Sequence, residues 1–217
     1  MVTGLTSLFG FSNLYLLKLS TNYFAQSTQL NLFTHTWSLG VEQQFYILFP
    51  FLVWFTGFGR YTKNGSRNLF LVIGVLTIGS LISFVTLYSN NQEAAYFLMP
   101  TRLWEMGAGS LLFIGLQKKG AIKKLFEKAP PIIILMLIIV VMCLPISWAV
   151  VSTILVVIFT SFLIGSLRNS SLLFKVFTHP KIIYIGLISY SLYLWHWSVL
   201  SISCLLYTSD AADEHGC

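Results

Sequence analysis

The chain has 217 residues, of which 56% are hydrophobic and only 9% are charged. Because a typical soluble domain has roughly 25% charged residues, this composition argues against a water-soluble protein. The formal net charge of +6 could suggest nucleic-acid binding, but the basic residues lie in short loops between apolar runs, so we expect no nucleic-acid partner.

Six apolar segments each approach the roughly 18 residues typical of a membrane-spanning helix. They cover approximately residues 38 to 56, 68 to 88, 97 to 116, 131 to 147, 149 to 167 and 182 to 203. A further apolar stretch at residues 1 to 17 is typical of the remainder of another helix. Since lipid cannot satisfy open backbone groups, the pattern predicts an all-α, multi-pass transmembrane bundle of about six helices in a lipid bilayer.

Loop charge alternates along these segments. Lys and Arg collect in three loops, whereas the loops around Asn90 to Ala95 and around Pro145 to Trp148 carry none. Because cytoplasmic loops collect Lys and Arg, the basic loops are predicted inside and the other two outside. The basic residues are Arg60, Lys63 and Arg67; Lys118, Lys119, Lys123, Lys124 and Lys128; and Arg168, Lys175 and Lys181.

The first polar group lies in FTHTWSLGVEQQFY, residues 33 to 46. A charged side chain such as Glu42 costs about 2.5 to 3.5 kcal/mol to place at the centre of a membrane helix, so it usually faces a partner or a polar cavity. His35 lies seven residues earlier, on the same face if the helix is continuous. We predict His35 as a general base and Glu42 as the carboxylate that orients it. The alternative is that His35 merely begins the helix at the membrane interface.

Two further polar groups follow. In PTRLWEMGAGS, Arg102 and Glu105 are three residues apart and can pair on one helical face, either to lower the cost of burial or to bind an anionic group. The small residues 107 to 110 are predicted to let another helix approach. In ISYSLYLWHWS, residues 188 to 198, the aromatic residues are typical of an interfacial belt, and His196 is a candidate for chemistry.

The predicted topology places His35, Glu42, Arg102, Glu105 and His196 in the outer half of the bilayer. We therefore predict that these five side chains line one outward-facing polar cavity. The full set of predicted substrate- or donor-binding residues is Trp37, Ser38, Gln44, Tyr46, Arg102, Glu105, Tyr190 and His196. No metal site is predicted, because Cys143, Cys204 and Cys217 show no metal-ligand spacing with nearby histidines.

The last residues, 204 to 217, break the apolar pattern with three acidic residues. A natural acidic tail is one interpretation. The stretch from Cys204 to Glu214 instead resembles the translation of a DNA-library adapter sequence. We therefore predict a native membrane domain over 1 to 203 and a non-native tail over 204 to 217.

Three motifs carry a family resemblance: HTWSLGVEQQFY, PTRLWEMGAG and SYSLYLWHWS, in this order and spacing, resemble the acyltransferase 3 family of membrane O-acyltransferases. Residues 12 to 33 are also similar to that family, and the resemblance covers essentially 1 to 203. The chain departs from the usual pattern at Gly40, Gln43 and Ser198, where the family commonly has Ser or Ala, Glu, and Pro. Glu42 is thus the only acid in its motif.

The resemblance implies about ten membrane helices in the bacterial inner membrane. It also implies transfer of an acyl group, commonly acetyl, from acetyl-CoA or another acyl-CoA, with no bound cofactor. The acceptors would be hydroxyls of a cell-surface glycan such as lipopolysaccharide O-antigen or peptidoglycan. Family helices that carry an essential Arg and His would precede Met1. That upstream His is therefore the alternative to His35 as the base, and the chain alone is expected to be an inactive internal fragment.

Two other functions fit the residues. A transporter also uses intramembrane carboxylates and histidines in proton relays, but it would be expected to show two related halves with interrupted helices. No such internal repeat is visible in the sequence. A noncatalytic membrane sensor that retains the fold is the remaining alternative.

Overall fold

The computed structural model describes residues 2–20, 33–58, 64–117, 126, 130–167 and 171–214. Within these ranges the regular structure is helical and contains no strand, as the sequence predicts. The helices are α1 (Val2–Leu8), α2 (Ser12–Ser20), α3 (Thr36–Phe55), α4 (Gly65–Asn90), α5 (Gln92–Phe97), α6 (Met99–Gln117), α7 (Pro131–Met142), α8 (Ala149–Ser166), α9 (Leu172–Phe177) and α10 (Pro180–Glu214), with a 3₁₀ turn at Ile146–Trp148.

Helices long and apolar enough to cross a membrane are present in the described chain. By length and composition they are Gly65–Asn90, Ile146–Ser166 and Pro180–Cys204, of 26, 21 and 25 residues. Large apolar side chains remain exposed on them, including Leu187 at 77% and Trp195 at 70%. Water does not tolerate so much contiguous apolar surface, whereas lipid does. The chain is therefore a membrane protein.

Several predicted boundaries are wrong. The stretch at 1 to 17 forms two helices, because Gly10 adopts φ +75° between α1 and α2. The segment predicted over 131 to 147 is helical only from Pro131 to Met142, since Pro145 disfavours helix in the residue before it. The predicted loop at Asn90 to Ala95 contains the start of α5.

Most of the Lys and Arg residues that predict the orientation in the membrane lie outside the described residues. Arg60, Lys63 and Arg168 lie outside the described residues, as does the whole lysine-rich loop of residues 118 to 128 except Phe126. Residues 21 to 32 of the family-like stretch also lie outside them. Inside and outside assignments therefore stay predictions.

Two compact units make up the chain. The first comprises Met1–Gln44, Phe97–Met99 and Pro180–Cys217, and the second comprises Phe45–Tyr96 and Pro100–His179. In the second unit, one buried cluster contains Leu69, Ile73 and Ile114, and another contains Phe84, Ala95 and Trp104. These apolar clusters join α3, α4, α6 and α8 residues, and the second unit is accordingly held by close side-chain packing.

Helix α10 continues beyond the apolar segment predicted over 182 to 203. Its backbone is helical through Glu214, across most of the predicted non-native tail. Helical conformation does not distinguish a natural tail from an added one, so the origin of these residues stays a prediction.

Candidate functional site

Buried polar side chains organise the first unit around the start of α3. Ser12 and Asn13 are fully buried at the start of α2. Ser12 Oγ donates to the Thr36 carbonyl at 2.7 Å, and Asn13 Nδ2 donates to the Phe97 carbonyl at 3.0 Å. Gln44 Nε2 donates to Asn13 Oδ1 at 2.8 Å and to the Gly10 carbonyl at 2.9 Å. These bonds hold α3 against the turn between α1 and α2.

Gly40 makes this close approach possible. A Cβ atom added there would lie 2.9 Å from Ser12 Oγ and 3.1 Å from Asn13 Oδ1. Contacts this short force a neighbouring group to move. Gly40 departs from the usual family pattern, and its lack of a side chain allows α3 to pack closely on α2.

The candidate site lies beside this polar scaffold. It consists of His35, Ser38, Tyr193 and His196, which we call the histidine–tyrosine cluster. Tyr193 Oη lies 2.6 Å from Ser38 Oγ and also donates to the main-chain carbonyl of His35. The His35 ring packs edge-on against Tyr193 and His196, with ring centroids 5.3 and 5.6 Å away. His196 Nδ1 lies 2.6 Å from the Tyr193 carbonyl oxygen.

His35 is the most enclosed member of the cluster. It lies in the turn just before α3 and outside the membrane-spanning helices, with 9% of its surface exposed. Burial lowers its pKa below the ordinary value of 6.5, and the nearby His196 lowers it further. The Leu194 carbonyl opposes this shift, although its geometry falls short of a hydrogen bond. His35 is therefore neutral at neutral pH.

Both His35 ring nitrogens are buried without a hydrogen-bond partner among the described residues. Buried polar atoms are normally paired, so a buried imidazole without a partner is unusual and calls for an explanation such as a catalytic role or a bound water. A neutral imidazole nitrogen can accept a proton from a hydroxyl. The cluster therefore has the chemistry of a general base.

The structure brings together three residues predicted from sequence: His35, Ser38 and His196. The sequence motif contains Tyr193, but the predicted binding set names Tyr190 instead, which is exposed. The spacing of three residues between Tyr193 and His196 is the signal that could have found it, because such residues are neighbours on a helix.

The structure does not bring Glu42 to His35. Glu42 is exposed on α3, and it makes no hydrogen bond to the His35 ring, whose nitrogens have no partner among the described residues. Helix α3 begins at Thr36, so His35 lies in the turn just before the helix that carries Glu42. The catalytic role of Glu42 stays a prediction.

Three other predicted binding residues have separate surroundings. Trp37 packs edge-on against Phe97, with ring centroids 5.6 Å apart. Tyr46 is exposed. Gln44 uses its amide nitrogen to hold Gly10 and Asn13, which is a structural contact.

The second unit contains the predicted Arg102 and Glu105 pair. Arg102 Nη2 lies 2.9 Å from both carboxylate oxygens of Glu105, which confirms the predicted pairing. The guanidinium also lies over the Tyr96 ring, 5.6 Å from its centroid. A pocket of about 360 Å³ adjoins the pair and is lined further by Ser152, Thr153 and apolar residues of α7 and α8.

The small residues that follow this pair differ from one another. Gly107 is buried, and a Cβ atom there would lie 2.2 Å from Thr77 Oγ1 of α4, which confirms its predicted packing role. Gly109 has no atom within 4 Å of an added Cβ and instead lines an apolar cavity of about 430 Å³. That His35, Glu42, Arg102, Glu105 and His196 line one outward-facing cavity stays a prediction.

The described chain thus combines apolar helices of membrane-spanning length with a buried imidazole that lies beside hydroxyl groups. The chain belongs to the acyltransferase 3 family: the family model, described as an acyltransferase domain, matches residues 2–210. This match confirms the resemblance seen in the three sequence motifs.

Curated relatives from Staphylococcus aureus agree with that assignment. O-acetyltransferase OatA of strains NCTC 8325 and COL is 29% identical over 208 residues. A protein of strain COL whose name assigns O-acetyltransferase activity provisionally is 30% identical over the same length. Each alignment covers 91% of this chain but 34% of the relative, so the chain spans about a third of their length. No solved structure matches.

Proposed function

We propose that the protein containing this chain is an O-acyltransferase of the bacterial inner membrane. It transfers an acetyl group from acetyl-CoA to a hydroxyl of a cell-surface glycan such as peptidoglycan or lipopolysaccharide O-antigen. The family supports acyl transfer, and the O-acetyltransferase names of the relatives favour acetyl and a hydroxyl acceptor. Its partners are therefore acyl-CoA, the glycan and the lipid bilayer.

The observation that carries this proposal is the buried, unpaired imidazole of His35 within the histidine–tyrosine cluster. An acyl transfer to a hydroxyl needs a base that takes the hydroxyl proton as the oxygen attacks. His35 has the required protonation state, because burial keeps its pKa below the ordinary value.

The proposed transfer needs only acetyl-CoA and the glycan hydroxyl as reactants. His35 accepts the proton of the glycan hydroxyl, and the oxygen forms a bond to the thioester carbonyl carbon. The carbon–sulfur bond then breaks, and the CoA sulfur takes a proton, which returns the imidazole to its neutral form. The products are an acetyl ester and free CoA.

Arg102 is the candidate for donor binding. A guanidinium suits phosphate groups because it offers several donors in a fixed plane. Arg102 is already paired with Glu105 and adjoins a pocket with polar and apolar walls, which fits an anionic, partly apolar ligand. Glu42 is proposed to orient the base, although it makes no hydrogen bond to the His35 ring.

The test uses the full-length protein reconstituted in lipid vesicles. Radiolabelled acetyl-CoA is supplied with peptidoglycan fragments or O-antigen, and label on the glycan is measured before and after mild alkali. We expect alkali-labile label, because alkali cleaves acetyl esters. Protein-free vesicles provide the background.

Two results would contradict the proposal. Label that never reaches either glycan, from protein correctly inserted in the membrane, would exclude acetyl transfer to these acceptors. Accumulation of unmodified donor or glycan across the vesicle membrane, without an ester, would identify the transporter alternative.

A further inference from the structure

Tyr193 lies at the centre of the histidine–tyrosine cluster and contacts the three other residues of the cluster. Its ring lies 5.3 Å from that of His35 and 5.6 Å from that of His196, measured between centroids. Its phenol oxygen lies between Ser38 Oγ and the His35 carbonyl. Its own carbonyl lies 2.6 Å from His196 Nδ1.

The proton positions in this group follow from what each atom can donate. A carbonyl oxygen has no proton, so Tyr193 must donate its single hydroxyl proton to His35. Ser38 must then donate its hydroxyl proton to Tyr193 Oη over 2.6 Å. The result is a directed chain of hydrogen bonds that runs from Ser38 through Tyr193 to the His35 main chain.

His35 depends on this chain for its orientation. It lies in a turn that precedes α3, and neither of its ring nitrogens has a hydrogen-bond partner among the described residues. Metal-free catalytic histidines are usually oriented by a hydrogen bond to one ring nitrogen, and His35 has none here. Its position is instead set by main-chain hydrogen bonding and by ring contacts.

We propose that Tyr193 is a positioning residue whose phenol group holds the His35 main chain and Ser38 together, and so keeps the His35 ring enclosed against His196. The proposal rests on the proposed function only in giving His35 a catalytic task. Tyr193 touches no reacting atom, so it acts through His35. Of the several tyrosines in α10, the proposal therefore assigns an effect on catalysis to Tyr193.

A purely structural role would make a different prediction. If Tyr193 only filled space, its phenyl ring would suffice, and Tyr193→Phe would retain both activity and pH dependence. If its hydroxyl positions His35, removing that hydroxyl leaves the His35 carbonyl and the Ser38 hydroxyl unpaired. The turn can then move, and the ring gains access to water.

The test compares full-length wild-type protein with Tyr193→Phe and with Tyr184→Phe. Tyr184 is exposed on the same helix and lies outside the cluster, which makes it the matched control. We expect Tyr193→Phe to lower kcat about 10- to 100-fold with KM changed less than about two-fold, because it displaces a catalytic group without removing a substrate contact. Among the described residues, the titratable side chains whose rings contact the His35 ring are Tyr193 and His196.

Two readouts separate positioning from packing. The acid limb of the pH profile should move upward, because an imidazole that reaches water regains a pKa nearer 6.5. Diethyl pyrocarbonate should also modify His35 faster in Tyr193→Phe than in Tyr184→Phe, as measured by mass spectrometry. Equal kcat, acid limb and modification rate in the two variants would overturn the proposal.

The labelling readout keeps this inference distinct from the proposed function. If the wild-type protein transfers no acetyl group, the proposed function fails, but the His35 modification rate still decides whether Tyr193 holds the ring. If Tyr193→Phe does not reach the membrane, Ser38→Ala breaks the same chain at its other end. Faster His35 modification in Ser38→Ala supports the proposal, and an unchanged rate overturns it.

Discussion

The two compact units bury different kinds of side chain. The first encloses Ser12, Asn13, His35 and Thr36, whereas the second encloses mainly apolar residues such as Leu69 and Ile114. Inside a bilayer, lipid is as apolar as a leucine side chain, so apolar helices associate by close packing rather than by escape from water. The first unit differs in its polar interior, where the buried His35 imidazole outside the membrane-spanning helices has no hydrogen-bond partner among the described residues.

The largest expected effect on activity comes from replacing His35, whose buried ring has no hydrogen-bond partner among the described residues. His35→Gln in the full-length protein should lower kcat by about 10²- to 10⁴-fold, because the amide cannot accept a proton as a base. Glu42→Gln should lower it much less, since Glu42 is exposed and makes no hydrogen bond to the His35 ring. Initial rates of glycan acetylation measure both. Equal losses would restore Glu42 as a partner of the base.

The pH dependence of the wild-type activity also tests whether His35 is the base. His35 acts as a base only when neutral, so kcat/KM should fall as the pH drops through its pKa. Burial and His196 lower that pKa, so the acid limb should lie below 6.5. An acid limb above 6.5 would show that His35 is more hydrated than the structure indicates.

The next largest effect is expected in the apolar unit. Gly107→Val should destabilise the protein by about 1 to 3 kcal/mol, because the new side chain would overlap Thr77 of α4. Gly109→Val is the matched control on the same helix and should change stability by less than about 0.5 kcal/mol, since it faces open space. Thermal denaturation in detergent compares them. Similar losses would indicate a helix-propensity effect rather than packing.

A smaller effect is expected in the polar scaffold. Asn13→Leu should cost about 0.6 to 2 kcal/mol, because hydrogen bonds between membrane helices contribute modestly. Gln44→Leu should cost a similar amount and leave KM unchanged, since Gln44 binds Asn13 and Gly10. Denaturation and acetylation kinetics on the same preparations test both. A raised KM with unchanged stability would instead support the predicted substrate-binding role of Gln44.

Sequence alone predicted the class of fold and the segments that carry the site. Apolar runs revealed the membrane helices, and the motifs around His35 and His196 identified two residues that pack together. The break at Gly10 was not predictable from the apolar run, because its left-handed conformation depends on how α1 and α2 pack. The choice of Tyr193 over Tyr190 required knowing which face of α10 meets His35.

Glu42 shows why the remaining details were inaccessible. Seven-residue spacing places two residues on one face of a continuous helix, but it does not show where the helix begins, and His35 lies in the turn before α3. Helix ends depend on tertiary hydrogen bonds such as that from Ser12 to the Thr36 carbonyl. Those contacts join residues 24 positions apart, which local sequence patterns do not encode.

The direction of the Ser38 to Tyr193 bond limits what Ser38 can recognise. With its only proton already committed to the phenol, Ser38 offers approaching molecules lone pairs alone. A sugar hydroxyl could donate to those lone pairs, whereas a thioester carbonyl or a phosphate would meet electrostatic repulsion. Ser38 would thus bind a hydrogen-bond donor such as a sugar hydroxyl in preference to a group that only accepts, such as a thioester carbonyl.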